Sequence, residues 1–158
     1  MLKTELSKMM RYGGMLGRWA WHRVFQSKTV MISGVKLYLE HPALSPKMKF
    51  NLRLGHYEVH EQVLLGACLK PSDRFLEVGA GVGFLSNLAA QIVSDDQITS
   101  VEANPDMIDL IQQNQALNGT KFSVINAVLG TGQGQRDFYV AKNFWATSLF
   151  PIEGAQKI

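Results

Sequence analysis

The chain lacks most of the features that would mark a secreted, disulfide-bonded or membrane-spanning protein. Its single cysteine, Cys68, excludes an intramolecular disulfide and a cysteine-based metal cluster. Because Cys68 lies on the apolar side of a predicted helix, we expect a buried, inert thiol. No run of about 18 apolar residues is present, so no membrane span is predicted. The N-terminus carries Glu5 and lacks a compact apolar core before a small-residue cleavage site, which argues against a secretory signal and favours a cytoplasmic location.

Acidic residues are scarce in the first third of the chain. Residues 1–53 contain ten Lys or Arg and two Asp or Glu, a net charge of +8, whereas residues 54–158 contain six and eleven, a net charge of −5. Such a basic segment either contacts an anionic membrane surface or an acidic partner, or forms a solvated helix face. We predict no nucleic-acid partner, because no recognisable binding motif accompanies the charge.

The length of 158 residues and the hydrophobic content of 46% indicate one globular unit with a real core. The change in charge divides the chain into a basic N-terminal helix and β-hairpin extension, residues 1–53, and a partial ligand-binding α/β domain, residues 54–158. Residues 4–26 are predicted to be helical, although three glycines weaken the first half and arginines interrupt the apolar surface. Such a helix would cap the domain, lie on a membrane surface or mediate self-association.

Apolar periodicity then predicts a hairpin, a loop and a helix. Alternating apolar residues on both sides of Ser33 and Gly34 predict a β-hairpin over residues 30–39. Two prolines predict a loop over residues 41–46. Residues 57–69 predict an amphipathic helix, whose apolar face includes Val59 and Val63.

The rest of the chain is organised around residues 74–83, R-F-L-E-V-G-A-G-V-G. Leu76 and Val78 belong to a short apolar run that predicts a buried strand, and three glycines follow at alternating positions. Residues 84–93 then show the apolar spacing of a helix. A glycine turn between a strand and a helix lets a ligand approach the main chain closely, because no Cβ stands in the way. The helix N-terminus would point its N–H groups at that ligand.

Two more strands follow this unit. The first, I-T-S-V-E, ends at Glu102, and Asn104 and Pro105 begin a helix that Gly119 ends. Residues 121–129 predict the next strand, residues 130–135 a glycine loop, and the segment after it a fourth, polar-edged strand. The alternation of strands and helices predicts an α/β fold with an incomplete parallel βαβαβ sheet. Ligands in such sheets lie beyond the carboxyl ends of the strands.

Two ligand classes compete for the glycine turn. Dinucleotides are bound by G-x-G-x-x-G, but the spacing here is G-x-G-x-G, and Phe84 takes the place of the third glycine. Glu77, two residues before the first glycine, would repel a pyrophosphate and would favour a ligand with cationic or amino groups. S-adenosylmethionine has an ammonium, a sulfonium and no phosphate, and Glu102 is placed to accept both of its ribose hydroxyls. No G-K-[ST] follows the glycines, which excludes a phosphate-binding loop.

These segments resemble motif I and the second acidic position of class I S-adenosylmethionine-dependent methyltransferases, and more specifically the FkbM family. That family tends to contain Y-E-x-x-E, D-x-G-A-n-x-G-y, E-p-N-P and N-x-x-L-N in this order. The corresponding segments begin here at Tyr57, Glu77, Glu102 and Asn114, although Glu77 replaces Asp and Gly81 replaces Asn. N-A-V-L-G at residues 126–130 and F-Y-V at residues 138–140 continue the resemblance, which covers about residues 30–150.

The resemblance implies a Rossmann-like class I methyltransferase fold, S-adenosylmethionine as cofactor, and methyl transfer to a hydroxyl of a small molecule or sugar. Glu77 and the glycine turn would surround the methionine part and the ribose, and Glu102 would hold the ribose hydroxyls. Asn104 and Met107 would flank the adenine, and Asn126 would replace the acidic residue often seen near the adenine amino group. The implied cofactor-binding set is Tyr57, Glu77, Gly79, Ala80, Gly81, Gly83, Glu102, Ala103, Asn104, Met107, Asn126 and Ala127. No metal site is implied.

Each of these assignments has a purely structural alternative. The glycines could simply shape a turn between strand and helix, Glu102 could be an exposed carboxylate at a strand end, and Asn104 is also a helix cap. Residues 57–61 could be an ordinary helix start. His56 and His60 are expected to be structural or solvated rather than general bases.

The family pattern breaks near the end of the sequence. Other members of the family have a further strand ending in K-i-D-x-E-G and then more elements that face the acceptor. In this sequence Glu153 and Gly154 follow Pro151, and the Lys and Asp of that segment are missing. We therefore expect a fragment of a longer reading frame, apparently truncated at its C-terminus, or a protein that completes its sheet with another chain. In either case the first strand would have an unpaired edge.

The base for an acceptor hydroxyl is expected outside this sequence, so we predict no catalytic residue. Two other functions stay open: a fragment of an NAD-type nucleotide-binding oxidoreductase, and a non-catalytic interaction or membrane-surface module.

Overall fold

The computed structural model describes residues 27–130, 132, 134, 137–140, 149–151 and 153–157. The helix predicted over residues 4–26 lies outside them. None of the described helices is long and apolar enough to cross a membrane. The elements are β1 (Thr29–Ile32), β2 (Val35–Tyr38), α1 (Pro46–Arg53), α2 (Val59–Cys68), β3 (Phe75–Val78), α3 (Phe84–Ala89), a 3-10 turn (Asp95–Gln97), β4 (Ile98–Glu102), α4 (Pro105–Asn118), β5 (Ser123–Asn126), β6 (Tyr139–Val140) and β7 (Gln156–Lys157).

Strands β3, β4 and β5 form a parallel sheet in that order, with α3 and α4 as the connections. In the register, Val78 pairs with Val101, which in turn pairs with Ile125. Parallel strands joined through helices confirm the predicted Rossmann-like βαβαβ unit. The carboxyl ends of all three strands lie at one edge of the sheet, where such folds place their ligands.

The two faces of this sheet differ in burial. Glu77 points to the side covered by α3, where Ser86 contacts it, and is buried. Leu76 and Val78 point to the opposite side and are 59% and 56% exposed. The predicted strand is confirmed, but the prediction that Leu76 and Val78 are buried was wrong, because no described element covers that face. Strand β3 is also an edge strand among the described residues, with β4 as its partner.

The predicted hairpin is confirmed. Strands β1 and β2 pair antiparallel, with Ile32 opposite Val35. Ser33 and Gly34 have φ values of +48° and +84°, the left-handed conformations that a two-residue turn of type I′ requires. Alternation along the hairpin then buries Val35 and Leu37.

Helix α1 was missed by the sequence analysis, which ended a loop at Pro46. Ser45 caps the helix by accepting a hydrogen bond from the Met48 N–H at 3.3 Å, and Pro46 occupies the first turn. Met48 and Leu52 lie one turn apart and are buried. The Ser-Pro pair is the signal that could have located this helix start.

Helix α2 is confirmed, but its apolar face does not meet the core. Among its residues only Leu65 is buried, whereas Val63 is 68% exposed. Cys68 is also exposed, so the expected buried thiol was wrong. Periodicity identifies an apolar stripe along a helix, but the packing partner decides which side of the helix is covered. In α2 the covered side is that of Leu65, which belongs to the same buried cluster as Ala80 and Ile111.

The predicted fourth strand does not extend the central sheet. Strand β6 is two residues long and pairs antiparallel with β7, with Tyr139 opposite Lys157. The Lys157 ammonium also lies 2.8 Å from an oxygen of Asp137. The tail, which shows no clear period in the sequence, thus contributes a strand through long-range pairing.

Two hydrophobic clusters form the core. The first joins the hairpin, α1, the glycine turn and α4, and the second lies between α2, α3, α4 and the sheet. The boundary predicted between residues 53 and 54 stays a prediction, although the first cluster includes buried residues from both sides of it. The members of that cluster are Ile32, Val35, Leu37, Leu39, Leu44, Met48, Leu52, Val82, Phe84, Met107 and Leu110.

Two asparagines of α4 fasten the hairpin to the rest of the fold. The Asn114 Oδ1 accepts from the Tyr38 N–H at 2.7 Å, and its Nδ2 donates to the Val82 carbonyl at 2.9 Å. One turn later, Asn118 bonds both the N–H and the carbonyl of Lys36, at 2.8 and 2.7 Å. The side chains of α4 therefore satisfy the free backbone edge of β2, which a bare strand would leave to solvent.

Replacement of Asn114 by alanine is expected to lower the free energy of unfolding by about 2–4 kcal/mol, because the Tyr38 N–H and the Val82 carbonyl would lose their partners in a buried site. Urea denaturation followed by circular dichroism measures this. The control Gln112→Ala removes an exposed side chain of the same helix and should change stability by less than about 0.5 kcal/mol. Equal effects of the two substitutions would contradict the role given to Asn114.

Candidate functional site

The glycine turn after β3 has a backbone that favours glycine. Gly79 and Gly83 have φ values of +81° and +70°. A Cβ at Gly83 would lie 3.0 Å from the Ile111 Cγ2, so this glycine lets the turn approach α4. A Cβ at Gly79 would meet no atom within 4 Å. Gly79 therefore faces open space, while Gly83 faces the core.

Four N–H groups of this turn, those of Gly79, Ala80, Gly81 and Gly83, are bonded within the protein. Those of Gly79 and Ala80 donate to the Val101 carbonyl at 2.8 and 3.1 Å, and that of Gly83 donates to the Ala80 carbonyl at 2.7 Å. The Gly81 N–H donates to the Glu102 Oε2 at 2.8 Å. A phosphate site needs free N–H groups directed at the anion. This turn instead leaves a carboxylate beside the space that a ligand would occupy.

Glu102 lies at the end of β4 and is 7% exposed. Its Oε2 receives the Gly81 N–H, and its Oε1 receives the Asn104 N–H at 2.7 Å. An ionised carboxylate has about four acceptor positions, so these two bonds leave others for a ligand. The alternative of an exposed strand-end carboxylate was wrong, because the fold buries Glu102 and uses it to hold the turn.

Glu77 points away from the turn, toward α3. One of its oxygens, Oε2, accepts hydrogen bonds from the Ser86 N–H at 3.2 Å and from the Ser86 hydroxyl, which also contacts the Ser100 hydroxyl at 2.5 Å. Burial, together with the smaller effect of the charges of Glu58 and Glu102, raises the pKa of Glu77 to about 8 against the lowering effect of the bonds from Ser86. Glu77 is consequently largely protonated at neutral pH.

Tyr57 and Glu58 lie above the same turn. The ring of Tyr57 meets that of Phe84 edge to face, with centroids 5.8 Å apart. Burial, followed by the charges of Glu58 and Glu77, raises the pKa of the Tyr57 hydroxyl well above its usual range. Burial and the charge of Glu61 raise the pKa of Glu58 to about 7.

A cavity of about 800 Å³ opens at the carboxyl edge of the sheet. Its walls are largely apolar, and a few polar groups converge on it, which is typical of a small-molecule site. The lining residues are Lys47, Met48, Asn51, Tyr57, Glu58, Val78, Gly79, Gly81, Val101, Glu102, Ala103, Ala127, Val128, Leu129, Phe138 and Leu149.

The cavity brings together half of the predicted cofactor-binding set: Tyr57, Gly79, Gly81, Glu102, Ala103 and Ala127. The others lie behind it. Ala80 and Gly83 support the turn from the core side, and Glu77 bonds Ser86.

Three residues predicted for the adenine region make contacts within the fold, and their role in cofactor binding stays a prediction. Asn104 is buried and caps α4 by accepting from the Asp106 N–H at 3.1 Å. Met107 is fully buried in the first core cluster. The Asn126 Nδ2 donates to the carbonyls of Glu102 and Ala103, at 2.8 and 3.1 Å, and so ties the ends of β4 and β5 together.

The sequence motifs did not indicate Lys47, Asn51 or Glu58 as site residues. Lys47 and Asn51 lie one turn apart on α1, the helix that was missed, and both line the cavity. Glu58 belongs to the Y-E-x-x-E segment of the family resemblance, but only Tyr57 of that segment was placed in the cofactor-binding set. Among the described residues, no group of three or more His, Cys, Asp or Glu is placed to hold a metal ion.

The family model for protein-L-isoaspartate(D-aspartate) O-methyltransferase (PCMT) matches residues 47–141, more than half of the chain. The chain belongs to the PCMT family of methyltransferases. The match includes α1, the Tyr57–Glu58 segment, the glycine turn and Glu102. The resemblance to class I S-adenosylmethionine-dependent methyltransferases is thereby confirmed, while the narrower FkbM assignment is not.

The solved structures that resemble the PCMT-family chain include the following two, each similar over part of its length. A Pyrococcus horikoshii protein described as a transferase is 23% identical with a TM-score of 0.45, and the alignment covers 63% of this chain and 36% of that one. The tRNA m1G37 methyltransferase of M. jannaschii is 20% identical with a TM-score of 0.45, with 64% and 29% covered. The chain thus spans about a third of the length of these proteins. A comparison with curated proteins gives no match.

Methyltransferases of the PCMT family use S-adenosylmethionine. The residues present fit this cofactor in three respects. The cavity has the volume of a nucleoside-sized site, the open side of Gly79 allows close approach of a ligand, and Glu58 and Glu102 supply acceptors for hydroxyl and ammonium groups. The internally bonded turn matches a cofactor without phosphate.

The raised pKa of Glu77 predicts that stability falls as the pH rises. The unfolded carboxyl has a pKa near 4.3, and the folded one about 8, so the folded state binds more protons between these values. Glu77 should therefore reduce the free energy of unfolding by up to about 1.4 kcal/mol per pH unit from about pH 5 to pH 8. Glu58 adds a similar loss that ends near pH 7.

Urea denaturation of the full chain and of Glu77→Gln at several pH values checks this. The variant should be more stable than the parent chain at pH 8 and should lose the slope between pH 7 and 8. The exposed Asp96 provides a matched control, since Asp96→Asn should leave the slope unchanged. A parent chain whose stability rises from pH 5 to pH 8 would rule out the raised pKa.

Proposed function

We propose that the chain binds S-adenosylmethionine in the cavity beside the glycine turn and serves the transfer of its methyl group to an oxygen acceptor. One observation carries this proposal: a buried carboxylate, Glu102, bonds the turn and lines the cavity, while the N–H groups of the turn are occupied. That arrangement suits ribose hydroxyls and an ammonium rather than phosphates.

The residues at the cavity have separate roles in this proposal. Glu102 accepts the ribose hydroxyls with the acceptor positions that Gly81 and Asn104 leave open. Gly79 and Gly81 flank the methionine half, where a side chain would fill the space. Ala103 and Ala127 line the adenine end. Three residues support the adenine end from outside the cavity. Asn104 caps α4, Met107 packs in the core, and Asn126 links the ends of β4 and β5.

When bound, S-adenosylmethionine supplies an electrophilic methyl group on a sulfonium. The chain contributes orientation, since an in-line approach of acceptor, methyl and sulfur accounts for much of the rate of such a transfer. The apolar side chains of Val78, Val101 and Leu129 reduce the access of water to the same space.

An oxidoreductase that binds NAD is the competing function, and the site argues against it. A pyrophosphate would need the N–H groups that bond Val101, Ala80 and Glu102. It would also lie beside the carboxylate of Glu102, which repels it. Helix α3, with six residues, offers a small macrodipole as compensation.

For the acceptor, we propose a hydroxyl of a small molecule or sugar. The family description names a protein isoaspartate as the methyl acceptor, which is a carboxylate. Glu58 and Glu102 make the cavity acidic, so an anionic acceptor would be repelled there, whereas a neutral hydroxyl would not. Methylation of a hydroxyl releases its proton to a base, for which the described residues provide no assigned group.

Calorimetric titration of the full chain tests the cofactor. S-adenosylhomocysteine is expected to bind with a dissociation constant of about 1–100 µM, and NAD is not expected to bind. Glu102→Gln should weaken the binding by about tenfold or more, because a charged acceptor is lost, while Asp96→Asn should not change it. Binding of NAD without binding of S-adenosylhomocysteine would exclude the proposal.

The acceptor is tested with S-adenosylmethionine that carries a tritiated methyl group, an excess of the full chain, and either neutral sugars and alcohols or an isoaspartyl peptide. A methyl ether is stable in alkali, whereas a methyl ester of a carboxyl group releases labelled methanol. We expect alkali-stable label in the sugar or alcohol. Label that appears as methanol, and only with the peptide, would assign the chain to carboxyl methylation instead.

A further inference from the structure

Glu58 has a feature that the fold does not explain. Its carboxylate lines the cavity, and its Oε2 is buried without a hydrogen-bond partner among the described residues. A buried carboxylate oxygen without a partner is costly. Such a group in a native protein calls for an explanation, such as a water, an ion or a ligand that supplies the missing donor.

The backbone of Glu58 is also strained. Its φ and ψ values of +47° and +40° lie in the left-handed region, where a glycine or an asparagine is favoured over a glutamate. Glu58 occupies the N-cap position of α2, but its side chain makes no capping bond there. The side chain is thus not used to stabilise the helix, and the strained backbone serves to direct it elsewhere.

The surroundings hold this conformation in place. The Glu58 carbonyl accepts the Gln62 N–H at 2.9 Å, and the Gln62 side chain donates to the Tyr57 carbonyl at 2.7 Å. The Tyr57 ring in turn packs on Phe84, the first residue after the glycine turn. A side-chain hydrogen bond with the Tyr57 hydroxyl holds the carboxylate of Glu58 next to the turn.

The charge around Glu58 favours a cation. The charge of Glu61 raises the pKa of Glu58, and the charge of Glu58 raises the pKa values of Glu77 and Tyr57. Among the described residues, no cation shifts the pKa of Glu58. Glu102 lines the same cavity from the side of β4. Lys47 of α1 lines it as well, so the described lining residues include one basic side chain and two carboxylates.

We propose that the Glu58 carboxylate binds the α-ammonium group of the methionine half of the methyl donor. A primary ammonium supplies both the donor that Oε2 lacks and the positive charge that the acidic surroundings lack. The inference rests on the proposed function. It adds a cofactor-binding residue that lies outside both the glycine turn and the strand ends. It also accounts for the strained backbone, because an unstrained helix start would not direct the side chain to the cavity.

The test compares two ligands on the full chain. S-adenosylhomocysteine carries the ammonium, whereas 5′-methylthioadenosine keeps the adenosine and the sulfur but lacks the whole amino-acid group. Glu58→Gln should weaken the binding of S-adenosylhomocysteine by about tenfold to a hundredfold and should change that of 5′-methylthioadenosine by less than about twofold. Asp96→Asn, which alters an exposed carboxylate outside the cavity, should change neither.

The outcomes separate the two proposals. If the parent chain binds neither ligand, the proposed function fails. If the parent chain binds both and Glu58→Gln weakens them equally or not at all, the function stands and the role of Glu58 is wrong.

A second variant shows whether weaker binding is due to the lost carboxylate or to a loss of folding. Glu58→Gly should raise the midpoint of thermal unfolding, because glycine adopts the left-handed conformation without strain and no unpartnered carboxylate remains. The same variant should bind S-adenosylhomocysteine as weakly as Glu58→Gln does. A Glu58→Gly chain that binds it as tightly as the parent chain would overturn the inference.

Discussion

The architecture depends on the hydrogen bonds that converge on Glu102. Its carboxylate receives the N–H groups of Gly81, in the turn after β3, and of Asn104, at the start of α4. Its carbonyl receives the Asn126 side chain and the Ala127 N–H, at the end of β5. One residue at the middle strand therefore fixes the carboxyl ends of all three parallel strands relative to one another. The cavity is the space that these fixed ends enclose, so its shape follows from the same bonds.

This arrangement has an electrostatic consequence. Because internal acceptors occupy the N–H groups of the turn, the cavity has little attraction for anions, and three carboxyl groups, Glu58, Glu77 and Glu102, lie near one another. Burial keeps Glu77 largely protonated, and the bonds to Ser86 only partly offset that. Such groups lower stability at neutral pH, and proteins retain them mainly where binding needs them. The carboxylates at the cavity and the internally bonded turn are the reasons for proposing a methyl-donor site here rather than a dinucleotide site.

Much of the fold could be predicted from local signals. Some signals act within a few residues: the left-handed pair Ser33 and Gly34 makes a turn, and Asn104 and Gly119 mark the start and end of a helix. The structure confirms the hairpin and the helix that these residues delimit. Predictions about burial were less successful. Leu76 is exposed and Cys68 lies outside the core, because hydrophobicity describes a side chain and not the layer that covers it. Glu77 and Glu102 were recognised as site residues from the sequence, but Glu58 and the contacts of all three were not.

The sequence by itself determined the parallel βαβαβ order, the glycine turn and the presence of an acidic residue at the end of the second strand of the unit. These depend on periodicity and on backbone conformations that only certain residues adopt. Only the tertiary structure decided that Glu77 turns to Ser86, that Glu102 bonds Gly81, and that Glu58 enters the cavity with an unpartnered oxygen. Hydrogen bonds between residues 9 to 21 positions apart depend on how elements pack, and no local pattern encodes that packing.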